Sequence, residues 1–195
     1  MGESYYDKHA LEFAKQTAHL DASFLYERFL QHLPKGGTIL DAGCGSGRDT
    51  KKFLEMGYAV TAMDSSPSMV ALATELTGGE VMLMSFQEMS FIEQFDGIWA
   101  CASLLHVCKQ DIDDVLTRLT QALKSKGVLY MSFKHGSGEN ERQGRLFNNY
   151  TKETLAEVLS KHPHLLTVID IWTSNDVRRE RETEIWLNGL VRKNP

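Results

Sequence analysis

The stretch Thr38 to Arg48, T-I-L-D-A-G-C-G-S-G-R, constrains this chain more than any other. Ile39 and Leu40 lead into an acid, Asp41, and glycines follow at alternate positions: Gly43, Gly45 and Gly47. An apolar pair behind Gly36-Gly37 reads as the end of a buried strand. Glycine at every second position lets the backbone turn sharply and approach a ligand, because no Cβ stands in the way. Residues 49–56 then read as a helix stopped by Gly57. A turn of this kind between strand and helix is where open α/β sheets bind ligands.

The turn lacks the marks of a phosphate cradle. A dinucleotide fingerprint wants a third glycine where Arg48 stands, and the Gly-Lys-Ser/Thr of a Walker loop is missing. What is present is D-x-G-x-G-x-G, and the next strand-like run, Ala59 to Met63, ends in Asp64. An acid in that place can accept hydrogen bonds from both hydroxyls of a ribose. This layout resembles the class I S-adenosylmethionine-dependent methyltransferases over nearly the whole chain. The resemblance implies S-adenosylmethionine as cofactor, with Asp41 and Gly43 facing its methionine end, Gly45 beneath the sugar and Asp64 on the ribose. Cys44, Gly47, Ser65 and Ala100 join that expected site, and Arg48, just past the turn, reads either as a partner of the methionine carboxylate or as a surface residue. Relatives commonly carry an acid near the adenine after the third strand. Here that place falls on Ser85, and contacts to the base pass to the backbone of Phe86 and Gln87.

Ahead of the motif, Tyr5 to His19 and Ala22 to Leu33 have apolar residues at helical spacing, the second helix ending at Pro34. The second reads as packing on the sheet. The first, with Tyr5-Tyr6, Thr17 and Asp21, reads equally as packing or as a lid, since methyltransferases of this kind often cover the cofactor with N-terminal helices. Ser66 and Pro67 make a helix start, with Met69, Val70, Ala73 and Leu76 inward. Val81 to Met84 and Phe95 to Ala100 read as strands three and four, with Cys101 to His106 as the turn beyond. His106 is a candidate general base, and a histidine in a structural role fits the same place. Cys101 reads as a packing residue, with no base evident beside it. A helix, Ile112 to Leu123, precedes a fifth strand, Val128 to Phe133, which delivers Lys134 to the carboxyl edge.

Gly136 to Gly144 has no periodicity and reads as a loop over the site. Lys134, Arg142, Arg145 and Tyr150, with Tyr5 and Tyr6, are candidate substrate contacts, because guanidinium forks suit oxyanions and carboxylates. The competing reading is a solvated charged loop pairing with Glu139 and Glu141. Thr151 caps a sixth helix. Leu165 to Trp172 and Glu184 to Val191 read as a hairpin joined by the charged link Asp176 to Glu182. The expected fold is therefore α/β and Rossmann-like: a doubly wound, mostly parallel seven-stranded sheet with a C-terminal antiparallel hairpin and helices on both faces. Residues 1–195 form a single methyltransferase domain in this reading, 1–34 a helical lid and 35–195 the cofactor-binding core.

Net charge of −5 argues against a broad nucleic-acid footprint. No apolar run approaches a membrane span, and the N-terminus lacks a signal-peptide layout. Three cysteines without a Cys-x-x-Cys pair, and seven scattered histidines, point to a reducing cytoplasm and to no metal site. The chain lacks the Asn/Asp-Pro-Pro-aromatic signature of many amino-methylating nucleic-acid enzymes and the cysteine signature of cytosine C5 methyltransferases. Small nucleophiles remain: a thiol, a metalloid oxyanion or a carboxylate. The G-x-G-R-D-T…G-Y-x-V-T-A-x-D arrangement looks most like tellurite-resistance-type methyltransferases and their thiol-methylating relatives. Two other functions stay open. One is a tRNA or small-RNA methyltransferase using Arg142, Arg145, Arg178, Arg179 and Arg181 on phosphates; the other is a non-catalytic S-adenosylmethionine-binding module. Oligomeric state is not legible.

Overall fold

The computed structural model describes residues 5–162, 164–178 and 181–195. Its helices are α1 (Tyr5–Thr17), α2 (Ser23–Leu30), α3 (Arg48–Glu55), α4 (Pro67–Thr77), α5 (Ile112–Ala122) and α6 (Lys152–Ser160). Its strands are β1 (Thr38–Ala42), β2 (Ala59–Asp64), β3 (Val81–Leu83), β4 (Phe95–Ala100), β5 (Leu123–Lys134), β6 (Glu139–Arg142), β7 (Arg145–Asn148), β8 (Leu166–Asn175) and β9 (Ile185–Lys193). Seven strands form one sheet in the order β3-β2-β1-β4-β5-β9-β8. β1 to β5 run parallel, and β9 is antiparallel to both neighbours. The chain therefore starts at the centre of the sheet and reverses direction between β1 and β4, the switch point where such sheets open a crevice.

Alternation along the central strands separates two cores. Leu40, Ile98, Ala100, Leu129, Met131 and Phe133 point to one face and pack with α5 and α6. Ile39, Trp99, Val128 and Tyr130 point to the other, against Tyr26 and Phe29 of α2 and Phe53 of α3. On that second face the rings form a continuous stack: Trp99 lies 4.1 Å from Tyr130, and Tyr26, Phe29 and Phe53 each sit within 5.5 Å of Trp99. Ring pairs at such separations add about 0.5–1.5 kcal/mol each beyond area burial.

Helix termini follow the sequence signals. Ser66 accepts from the Met69 amide at 3.3 Å with Pro67 opening α4, and Thr151 accepts from the Thr154 amide at 3.3 Å. Other expectations need correction. α2 stops at Leu30, short of Leu33. Leu76, expected inward, is exposed, because α4 turns only Met69 and Ala73 fully onto the sheet. Residues 136–144, expected to be irregular, contain β6, which pairs with β7 from Arg142↔Arg145 to Glu139↔Asn148. Gly138 precedes this hairpin and Gly144 lies in its turn, both at positive φ. The charged link after β8 joins it to β9 as an antiparallel hairpin, and Asp176 at its start is buried.

Gly97 sets how closely α2 approaches the sheet. A Cβ there would fall 2.6 Å from Phe29 Cζ and 2.7 Å from a Leu33 methyl. Gly97→Ala should therefore cost about 1–3 kcal/mol in urea unfolding by overpacking the α2 face. Gly79→Ala, whose Cβ would meet nothing nearer than 3.9 Å, should stay close to neutral.

Candidate functional site

A cavity of about 400 Å³ opens at the carboxyl ends of β1, β2, β4 and β5. That is within the size range of small-molecule and cofactor sites. Its floor comes from the glycine-rich turn and from residues 101–103 after β4, and its roof from α1, the β6–β7 hairpin and the turn between β8 and β9.

Of the residues singled out for the cofactor, Asp41, Gly43, Cys44, Gly45, Arg48, Asp64, Ser65, Ser85, Phe86 and Gln87 all line this cavity. Asp64 closes β2 with its oxygens accepting from the Gly45 amide at 2.8 Å and the Ser66 amide at 2.9 Å. This holds the carboxylate at the turn with lone pairs to spare. Gly47 and Ala100 do not line it and are corrected. Gly47, at φ +87°, lets α4 pass, since a Cβ would sit 3.0 Å from Ala73, and Ala100 is fully buried in the core. Gly43 lines the cavity, but its missing Cβ makes room for Ser103, whose Cβ would be 2.4 Å away. Ser85 shares Glu88 through both its amide (2.8 Å) and its hydroxyl (2.7 Å). The acid absent from position 85 thus stands three residues later, committed to capping.

Behind this floor stands Asp49, which nothing in the linear pattern marks. It is buried, and its carboxylate accepts from Tyr26 Oη (2.6 Å), Trp99 Nε1 (2.8 Å) and both Arg48 Nε (2.6 Å) and Nη2 (3.0 Å). Burial works to raise its pKa, yet the Arg48 guanidinium and the Tyr26 and Trp99 donors hold it below the usual carboxylate range. Asp41 is also buried and has one hydroxyl partner, Thr50 at 2.5 Å. Burial and then the charge of Asp49 push it up to about 8. One of these two acids ionises at the expense of the other. Arg48, already paired with Asp49, keeps its place on the lining.

On the acceptor side the candidates divide. Lys134 lines the cavity but is engaged: it pairs with Asp176 at 3.2 Å and with Glu184, and lies 4.0 Å over the Trp186 ring. Its ammonium is thus committed to two carboxylates and a ring. Asp176 also accepts from Arg178 Nε (2.8 Å) and Trp186 Nε1 (2.9 Å), and these donors hold its carboxyl low against the effect of burial. Asn175, Arg178, Arg181, Trp186 and Asn188 therefore belong to the lining too. Their approach depends on how the β8–β9 turn folds back, for which the linear pattern has no signal.

Arg145 and Tyr6 line the cavity; Tyr5, Arg142 and Tyr150 do not. Arg142 is exposed, although it is the direct register partner of Arg145. Tyr150 is core: it packs 4.7 Å from Phe133, and its hydroxyl accepts from Asn148 at 2.8 Å. Tyr5 instead stacks under the Arg145 guanidinium at 3.8 Å. His106 is half-buried between Tyr6 Oη (2.7 Å from Nε2) and the Leu146 carbonyl (2.6 Å from Nδ1). Burial and then the charge of Arg145 lower its pKa, leaving it neutral. Cys101 faces the cavity with its thiol pushed up to about 12 by burial, beyond use as a nucleophile near neutral pH. Arg145, Arg178 and Arg181 point into one cavity rather than across an outer face, and Arg179 lies outside the described residues. Among the described residues no group of three His, Cys, Asp or Glu side chains could hold a metal ion, and no helix is long and apolar enough to cross a membrane.

Comparison with known proteins places this arrangement. Residues 40–131 match a family described as a methyltransferase domain. Over 98% of its length the chain superposes on 84% of the Burkholderia thailandensis 1,6-didemethyltoxoflavin-N1-methyltransferase (TM-score 0.78, 26% identity), a crystal structure with 1,6-didemethyltoxoflavin and S-adenosylhomocysteine bound. It is 29% identical over 145 residues to the 2-methyl-6-phytyl-1,4-hydroquinone methyltransferase of Synechocystis, covering 69% of this chain and 43% of that one. It is 33% identical over 103 residues to the malonyl-[acyl-carrier protein] O-methyltransferase of Buchnera aphidicola, covering 51% of this chain and 41% of that one. The chain thus spans about half the length of the curated relatives it matches. From the glycine turn, the sheet order and these matches together, the chain belongs to the class I S-adenosylmethionine-dependent methyltransferase superfamily.

Proposed function

We propose that this chain transfers a methyl group from S-adenosylmethionine to a small, anionic acceptor. The observation that carries the reading is the charge distribution in the cavity. Among the described residues, Asp41, Asp49 and Asp64 gather with the single cation Arg48 under the ends of β1 and β2, while Lys134, Arg145, Arg178 and Arg181 gather with the single lining acid Asp176 at β5, the β6–β7 hairpin and the β8–β9 turn. Sheet order keeps the two groups apart. The acidic end suits a cofactor that carries an ammonium and a sulfonium, and the basic end suits an anion that would be repelled from the first.

Asp64 would hold the ribose, and Asp41 the methionine ammonium. Arg48 would face the carboxylate, and the Ser85 to Gln87 turn the adenine. The bound cofactor supplies an electrophilic methyl on sulfur, which leaves the protein to position the acceptor and keep water out. Residues 1–34 serve as the cover of a single domain whose core is 35–195. Support comes from Phe13 and Thr17 of α1 on the lining, and from Asp7 of α1 accepting from Ser66 Oγ at 2.5 Å. The named relatives act on acceptors as different as a hydroquinone and a malonyl carrier protein, so the acceptor has to be read from the cavity rather than from them.

Three outcomes are expected. Asp64→Ala should weaken S-adenosylhomocysteine binding by about 1.5–3 kcal/mol in calorimetry, the range for charge-assisted hydrogen bonds; unchanged affinity removes it from the site. Cofactor binding should also expel the proton from Asp41, which is held up to about 8. Calorimetry in buffers of different ionisation enthalpy should then show proton release near neutral pH that fades as pH rises above that value and vanishes in Asp41→Asn. Finally, amide exchange across residues 5–21 should slow when S-adenosylhomocysteine is bound. Exchange already slow and indifferent to ligand would make the segment packing alone.

A further inference from the structure

Three separate segments meet at the roof of the cavity around a single ring. The first turn of α1 brings Tyr6, because α1 is broken at His9 (φ −118°, ψ 17°) and the piece ahead of the break turns inward. The turn after β4 brings His106, and β7 brings the Leu146 carbonyl, Arg145 and Phe147. The geometry fixes the imidazole's tautomer. A carbonyl can only accept, so Nδ1, 2.6 Å from Leu146 O, carries the proton. In the neutral ring Nε2 is then a bare acceptor, and the Tyr6 hydroxyl at 2.7 Å must donate to it. The Tyr6 oxygen can then accept, from Arg145 beside it and from an occupant of the cavity, which both Tyr6 and His106 line.

Arg145 stands beside this pair. Its guanidinium lies 3.8 Å over Tyr5, 5.2 Å over Phe147 and 5.8 Å over Tyr6. Its Nε is buried without an acceptor, and its Nη2 donates to Gln143 at 3.1 Å. Among the described residues no carboxylate is within ion-pair distance of it, whereas Arg48, Lys134, Arg178 and Arg181 on the same lining all have one. A cation enclosed by rings and lacking a counter-charge fits an anion that forms inside the site.

We propose that Tyr6 and His106 form a proton-accepting pair and that the acceptor is a planar weak acid, a phenol, enol or ring N–H, which arrives neutral and is held as its anion by Arg145. This rests on the methyltransferase reading and changes one point of it: the anion that the basic end holds forms inside the site instead of arriving from solution. The acceptor's proton passes to Tyr6 Oη as the hydroxyl proton of Tyr6 passes to His106 Nε2. The electron pair left on the acceptor atom forms its new bond to the methyl carbon, and the pair of the broken S–C bond stays on sulfur, giving S-adenosylhomocysteine. The imidazolium keeps its Nδ1–H on Leu146, and Tyr6 ends as it began, a neutral phenol. An acceptor already ionised in solution, such as a carboxylate, has no use for the pair. Because Tyr6 comes from α1, the base is complete only while α1 covers the cavity, which ties deprotonation to exclusion of water. The charged and titratable groups facing the pair are Arg145 from β7, Asp64 from β2 and Tyr5 from α1.

The test uses the full chain loaded with S-adenosylhomocysteine, and 4-nitrophenol as the probe, because its phenolate absorbs in the visible and its neutral form does not. About one pH unit below the free probe's own pKa, the bound probe should absorb as phenolate, at least tenfold more than the free probe at that pH. Tyr6→Phe, which keeps the ring, and His106→Gln should bind the probe in its neutral form. Arg145→Met should weaken binding of the phenolate. Nitrogen NMR of His106 should show Nε2 bare in the ligand-free chain and protonated when probe binds. Failure of S-adenosylhomocysteine to bind at all would overturn the methyltransferase reading itself. If it binds, then no probe binding, a bound probe that stays neutral, equal ionisation in Tyr6→Phe, or an Nε2–H tautomer would each overturn the pair.

Discussion

The buried carboxylate of Asp49 is the interaction on which the floor of the site depends. A charge out of water costs several kcal/mol unless it is paired and hydrogen-bonded. Asp49 is satisfied on both oxygens, by Tyr26 from α2, Trp99 from β4 and Arg48 at the start of its own helix. Those partners join two helices to the central strand. They also hold the aromatic stack of Trp99 and Tyr130 in place beneath the cavity. Removing Asp49 would orphan Arg48 as well as unfasten α2, so structure and site share one group.

That same charge sets the state of its neighbour. Two buried acids near one guanidinium cannot both ionise cheaply, and Asp49 has taken the guanidinium. Asp41 is left with a hydroxyl partner and a raised pKa of about 8. An uncharged acid on the floor is a site prepared for a cation rather than one already neutralised by the protein. At the other end, Asp176 collects Lys134, Arg178 and Trp186 and pins the β8–β9 turn over the opening. Among the described lining residues Arg145 is the cation held by rings instead of carboxylates, so its charge is not cancelled at that end of the cavity.

The roof depends on the floor only indirectly. α1 contributes Phe13 and Thr17 over the glycine turn and Tyr6 over His106, and it is attached by polar contacts to Ser66 and His106 more than by deep burial. Among its described residues only Ala10 and Thr17 are fully buried. An element fastened by a few hydrogen bonds over an open crevice can exchange between covering and uncovering at small cost.

Local chemistry in the sequence was enough for the scaffold. The Thr38 to Arg48 turn, the Asp64 that ends β2, the Ser66-Pro67 start of α4 and the Thr151 cap all depend on residues within a few positions of one another, and the structure has each where its pattern placed it. The strand runs of β4 and β5 are equally local, and their period of two is what puts Trp99 and Tyr130 on one face and Ile98 and Leu129 on the other. What the chain could not disclose locally was pairing at long range. Asp49 reads as a solvent-facing first-turn acid until Tyr26 and Trp99 arrive from 23 and 50 residues away. Lys134 reads as a free cation until Asp176 and Glu184 claim it. His106 reads as one histidine among seven until Tyr6, 100 residues earlier, and Leu146 fix its tautomer. Backbone geometry is short-ranged and leaves a trace in neighbouring residues. The protonation state of a buried group is set by whatever the fold packs against it, and only the folded chain decides that.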